Sequence, residues 1–133
     1  MGNDLMEREL LIQEKNTFVK RNSARLINVR KDYAEAIFEV TEKVKNPFGF
    51  AHGGALFMLA DFCAGVVART DGRHYVTQTA NVSYLRPGRD GELTAKGTVI
   101  SRNGTHCLIE VSIADEEEKL LFTGTFTYFC TER

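Results

Sequence analysis

The chain has 133 residues, of which 43% are hydrophobic and 26% charged, the size and balance of one globular domain with its own core. Lys and Arg number 17 against 18 Asp and Glu, a formal charge of −1. So even a balance gives no electrostatic footprint for nucleic acid or for an anionic membrane surface, and neither is expected as a partner.

The first element expected is a polar, amphipathic helix from Asp4 to Lys20, with Leu5, Met6, Leu10, Leu11, Ile12, Phe18 and Val19 as its apolar set. Its charges, among them Glu7, Arg8, Glu9 and Glu14, interrupt any signal-peptide core and point to a cytoplasmic location. Residues 1–22 are therefore read as an N-terminal helical segment before a single domain over 23–133. From Arg25 to Val40 the period changes to two: Ala34, Ala36, Phe38 and Val40 alternate with Tyr33, Glu35, Ile37 and Glu39, as in one or two strands. Asn46-Pro47-Phe48-Gly49 then breaks the regular structure.

Gly53 to Arg69 is the most unusual stretch. Between Ala51 and Ala68 only His52 and Asp61 are polar, and a helix apolar on every face belongs inside a protein or a membrane. A membrane span takes about 20 such residues and does not accept an acid at its centre, so a buried central helix is expected. Strands follow it: Tyr75 to Leu85, stopped by Arg86-Pro87-Gly88, then Glu92 to Ser101. Asn103-Gly104 is the dipeptide of a two-residue hairpin turn. Beyond it Cys107, Ile109, Val111 and Ile113 share one face, Asp115 to Lys119 turns the chain, and Leu120 to Phe129 is the last strand. One buried helix among many strands predicts an α+β domain, an antiparallel sheet wrapped around the helix.

Three cysteines (Cys63, Cys107, Cys130) and three histidines (His52, His74, His106) are widely scattered, which predicts free buried thiols and neither metal nor cofactor. Cys107 follows His106 directly, but strand neighbours point to opposite faces and make no Cys–His dyad.

Asp61 carries the functional argument. A carboxylate in an apolar helix is costly unless it finds donors, and Asp is a poor helix-interior residue. Two readings fit: a structural acid that caps or pairs with a neighbour such as Arg69 or Thr77, or a reactive acid. His52 precedes Asp61 by nine positions, about 13 Å along a helix and on the opposite face, so one chain cannot pair them. Two helices antiparallel across a two-fold axis would bring each amino terminus near the middle of the other, giving a site shared between protomers. Gly53-Gly54 at a helix start either serves a tight turn or bares backbone N–H groups that, with the helix dipole, suit an oxyanion.

Taken together, Asn46, Gly49, His52-Gly53-Gly54, Asp61, Thr77 and the run Ser83-Tyr84-Leu85-Arg86-Pro87 resemble the PaaI-type acyl-CoA thioesterases of the hotdog superfamily, over roughly Lys45 to Phe129. The resemblance implies a hotdog fold, a long helix wrapped by a curved antiparallel sheet of five to six strands, in homodimers that often pair into tetramers. It also implies Asp61 as general base or nucleophile on a coenzyme A thioester. The Gly53 N–H of the facing protomer becomes the oxyanion donor, Asn46 a polar helper near the carbonyl or water, and Thr77 the hydroxyl beside the acid. That last position is Ser in some relatives. His52 is expected to order the loop on the carbonyl side. Such chemistry runs without metal or cofactor, because a carboxylate and hydrogen-bond donors suffice for an electrophilic thioester carbonyl.

Coenzyme A carries phosphates, which arginines suit. Arg86, Arg89 and Arg102 are candidates to meet them, or else solvated turn charges. Gly54 and Tyr84 are further substrate-binding candidates, and Tyr84, Phe57 and Phe62 either border an acyl pocket or belong to the core. An acyl-CoA sensor on the same fold, without turnover, is the alternative reading. The segment Met1 to Asn22 is too short for a helix-turn-helix regulator, and a hydratase would need a His–carboxylate pair that the spacing does not supply within one chain.

Overall fold

The computed structural model describes residues 4–132. The expected N-terminal helix is two helices, α1 (Asp4–Gln13) and α2 (Thr17–Arg21). Asn16 separates them because its side chain accepts from the Val19 N–H and so starts the second helix. The extended stretch after them is two strands, β1 (Arg25–Arg30) and β2 (Tyr33–Val40), joined at Asp32 in a left-handed conformation, φ 62°.

α3 (Gly53–Ala68) is the central helix. Leu59, Ala60, Cys63, Ala64, Val66 and Val67 are wholly buried along it. The stretch Gly53–Asp71 is apolar and long enough to cross a membrane by composition, yet here the sheet wraps it. Gly72, at φ 90°, turns the chain after its last turn, a conformation that glycine adopts at little cost.

Four more strands follow: β3 (Tyr75–Tyr84), β4 (Gly91–Arg102), β5 (His106–Ala114) and β6 (Leu120–Cys130). All six form one antiparallel sheet in the order β1-β2-β4-β5-β6-β3. The alternating small residues of β2, Ala34 and Ala36, are wholly buried. At Gly97 of β4 a Cβ would fall 3.1 Å from Val67 and 3.3 Å from Cys63 Sγ, so glycine there permits the close approach of sheet and helix. Register shifts at Ile27, Ile100 and Gln78 bend the sheet around α3, as bulges do. The architecture is the expected α+β hotdog, with six strands.

Two local expectations change. The β4–β5 turn does not centre on Asn103-Gly104: the Asn103 N–H donates to the His106 carbonyl at 2.9 Å, leaving Gly104 and Thr105 as the central pair. Neither Asn103 nor Gly104 has a positive φ, which the type I′ turn requires. The Asn103 side chain instead accepts from the N–H groups of Thr105 and His106, at 2.9 and 2.7 Å, and this Asx turn outcompetes the left-handed backbone. β3, which alternates in sequence, buries only Tyr75 fully. It is the sheet's edge, so its outward side has no covering layer in a single chain.

Candidate active site

Asp61 lies on the third turn of α3, facing the paired strands β6 and β3. The Thr77 hydroxyl donates to Asp61 Oδ1 at 2.8 Å, and the Tyr128 hydroxyl lies 2.5 Å from the same oxygen and 2.7 Å from the Asp61 main-chain carbonyl. Thr77 and Tyr128 are register partners across the β3–β6 pair. The bulge at Gln78 follows directly, and bulges re-aim the side chains next to them. No cation pairs with Asp61 among the described residues. Arg69, one possible partner, is held by Glu9: its Nε and Nη2 donate to the Glu9 carboxylate at 3.0 and 2.8 Å.

Tyr128 was not foreseen from the sequence. Its signal was there: it stands on the helix-facing side of β6 with Phe122 and Phe126, where a buried hydroxyl needs a polar partner. It is 3% exposed. Burial first, then the adjacent Asp61 charge and hydrogen bond, pushes its hydroxyl far above the ordinary tyrosine range, so it remains a donor.

A cleft of about 510 Å³ opens beside this group, lined by Asp61, Thr77, Tyr128, Phe57, Met58 and Gly65, with Phe18 and Val19 of α2 on its far side. It combines an acyl-sized apolar surface with a few convergent polar groups, the usual form of a small-molecule site.

The other expected residues gather at the amino terminus of α3. His52 is the N-cap, and its Nδ1 accepts from the Gly54 N–H at 2.8 Å. In the neutral ring this puts the proton on Nε2. A Cβ on Gly54 would fall 3.1 Å from that nitrogen, so glycine is what lets the cap close. The Gly54 N–H is thereby used up, whereas the Gly53 N–H meets no acceptor among the described residues. Of the two donors expected for an oxyanion, Gly53 is the open one. Tyr84 donates to the Gly53 carbonyl at 3.0 Å and packs its ring edge-on to Phe122. The Asn46 side-chain oxygen accepts from the N–H groups of Phe48 and Phe50, at 2.9 and 3.1 Å, and so shapes the loop leading to the helix. Asn46, Gly53, Tyr84 and Arg86 share a smaller cleft of about 270 Å³.

Arg102 is elsewhere. Its half-buried guanidinium is held in an internal network, with Asp71 and Asp32 each at 2.9 Å and the carbonyls of Ala68 and Val67 at 2.9 and 3.2 Å. The expectation of an arginine free to meet a nucleotide is corrected, because two carboxylates and the C-terminal carbonyls of α3 already occupy its terminal Nη1 and Nη2 groups. Arg86 and Arg89 are exposed, and Arg89 lies over the Phe50 ring at 5.1 Å. Phe62 is in the core at 7% exposure, yet it also reaches the Asp61 cleft.

The family model described as the thioesterase superfamily matches residues 48–122. The 1,4-dihydroxy-2-naphthoyl-CoA hydrolase of Listeria monocytogenes is 33% identical over 99 residues, which are 72% of this chain and 80% of that protein. A hypothetical thioesterase of Streptococcus pneumoniae, crystallised with coenzyme A, superposes with a TM-score of 0.79 at 32% identity, over 83% of this chain and 90% of the other. The same bacterial protein has been crystallised with alanine replacing an aspartate and, separately, a threonine sixteen positions later. The Escherichia coli PaaI protein shares the fold, with a TM-score of 0.92 at 22% identity over 96% of this chain and 94% of the other.

Proposed function

The chain belongs to the thioesterase superfamily and is a thioester hydrolase of the PaaI-like hotdog type, and we propose that Asp61 drives the hydrolysis of an acyl-CoA thioester against the Gly53 N–H of a facing protomer. The observation that carries this reading is Asp61 itself: a carboxylate held by two hydroxyls on a cleft wall, with no cation among the described residues to spend its charge. The aspartate and threonine replaced in the streptococcal relative are separated as Asp61 and Thr77 are, by sixteen positions.

As general base, Asp61 takes a proton from water while the water oxygen bonds to the thioester carbon. The Gly53 N–H, at the positive end of its helix, stabilises the oxyanion. The C–S bond then breaks, the carbonyl re-forms, and the coenzyme A thiolate takes up the proton. As nucleophile, the carboxylate would itself displace the thiolate and leave a mixed anhydride for water to open. In a single turnover in heavy-oxygen water, label in the Asp61 carboxyl marks the second route, with water opening the anhydride at the Asp61 carbon.

Gly53 and Asp61 of one chain stand eight positions apart, about 12 Å along the axis, too far to act on one carbonyl. β3 supports a shared site: it is a ten-residue edge strand, mostly exposed, and such edges are rarely left bare. Antiparallel pairing of two β3 edges about a two-fold axis lays the two α3 helices antiparallel, each amino terminus beside the partner's Asp61. Arg86, which borders the Gly53 cleft, then becomes the cation for a coenzyme A phosphate. The homodimer is the unit this chemistry needs.

The test is thiol release from a panel of acyl-CoAs, wild type against Asp61→Ala. Release by the wild type and its loss in the variant is the expected result. Tight binding with no release would make the protein an acyl-CoA sensor, and reversible addition of water to an enoyl-CoA would make it a hydratase.

A further inference from the structure

On the reading that the Asp61 cleft takes the acyl group, the structure assigns to Val19 the control of acyl-chain length. Two hollows meet at this residue. One is the Asp61 cleft of about 510 Å³. The other is a groove of about 360 Å³ between the N-terminal helices and β1, with Leu10, Ala24 and Leu26 as its apolar wall. Val19 of α2 and Phe62 of α3 line both, and are 6% and 7% exposed. They form the partition between the two spaces.

Phe62 follows Asp61 in sequence, so the partition stands next to the reacting carbonyl. A straight acyl chain entering from Asp61 meets this wall and stops; beyond it lies apolar surface that the wild-type chain cannot use. The wall is rigidly mounted. Asn16 caps α2, and the buried Glu9 (3% exposed) binds Arg69, at the end of α3, to α1. Val19 is also the cleaner of the two residues to alter, because Phe62 shares its helix backbone with Asp61.

An apolar pocket discriminates by about 10- to 200-fold per methylene that it accepts or refuses. The experiment is the dependence of kcat/KM on chain length for straight-chain acyl-CoAs from short to long, in wild type, Val19→Ala and Val19→Leu, with thermal melts to confirm folding. Val19→Ala joins the two spaces, so kcat/KM for chains longer than the wild-type optimum should rise about tenfold or more relative to that optimum. Val19→Leu should shift the preference towards shorter chains. An unchanged profile in folded variants, or a uniform fall at all lengths, overturns the inference and leaves the proposed activity standing. If Val19→Ala fails to fold, the direction of the Val19→Leu shift decides alone. Absence of thiol release by the wild type at every length overturns both.

Discussion

Thr77 and Tyr128 face each other across neighbouring strands, and both hydroxyls lie on one oxygen of Asp61, at 2.8 and 2.5 Å. Each hydroxyl has a single proton to give, so the carboxylate receives up to two neutral donors without being neutralised. That arrangement satisfies Oδ1 in an apolar setting while leaving the other oxygen, Oδ2, outside these two bonds. It fixes where the carboxylate points, which is what proton transfer or attack on a carbonyl demands.

Replacing Asp61 with Asn keeps the shape and removes the basicity. Loss of a general base costs about 10²- to 10⁴-fold, so thiol release should fall by at least about 100-fold with little change in melting temperature. A fall in activity that tracks unfolding would mean that Asp61 is structural only.

Gly53→Pro deletes one N–H with little disturbance, since proline suits the first position of a helix and His52 already has the extended conformation (φ −61°, ψ 138°) that a following proline requires. Its activity should drop about 10²- to 10³-fold. Mixing inactive Gly53→Pro with inactive Asp61→Ala should restore activity, because a heterodimer retains one intact shared site. Absence of rescue in a proven heterodimer would overturn the shared site.

Tyr128→Phe removes one donor to a charged acceptor, worth about 1.5–3 kcal/mol, and should lower kcat by about 10- to 100-fold with a smaller effect on KM. Thr77→Val should act in the same direction. If Tyr128→Phe retains wild-type kcat, the short contact at Asp61 does not assist the reaction.

The four tyrosines should titrate late. Burial, then Glu35, pushes Tyr33 up to about 12; burial, then Asp71, pushes Tyr75 up to about 12; burial raises Tyr84 and, more strongly, Tyr128. Near-ultraviolet tyrosinate absorbance should therefore stay low at pH about 10, the ordinary tyrosine value, and appear on unfolding. Folded pKa values above unfolded ones mean that this contribution to stability is complete below about pH 10 and is lost as the pH rises through the folded values. A normal tyrosine titration in the folded protein would contradict this.

Glu9→Ala leaves the Arg69 guanidinium, its side chain 17% exposed, without its carboxylate. Breaking a buried pair in this way costs about 3–5 kcal/mol, and partial exposure of the arginine sets the expectation at about 3 kcal/mol, measured by urea unfolding. A loss below about 1 kcal/mol, typical of a surface pair, would show that α1 is only loosely held.

Local pattern was enough to identify the strands and the central helix, but not the break at Asn16 or the exposure of β3. Period two in β2, β5 and β6, and apolar residues all round α3, follow from which side chains must leave water, and this holds whatever the partners are. Asp61 stood out for the same reason, as an acid where none is tolerated without donors. Which donors it found was decided only in three dimensions. The β3–β6 register and the bulge at Gln78 bring Thr77 opposite Tyr128, and pairing between segments some fifty residues apart leaves no local periodic trace. Tertiary packing likewise paired Arg102 with Asp32 and Asp71 and engaged the Gly54 N–H with His52. It also set Val19 as a wall of the Asp61 cleft. Burial and periodicity are properties of a segment, whereas hydrogen-bond partners belong to segments brought together, and so await the fold.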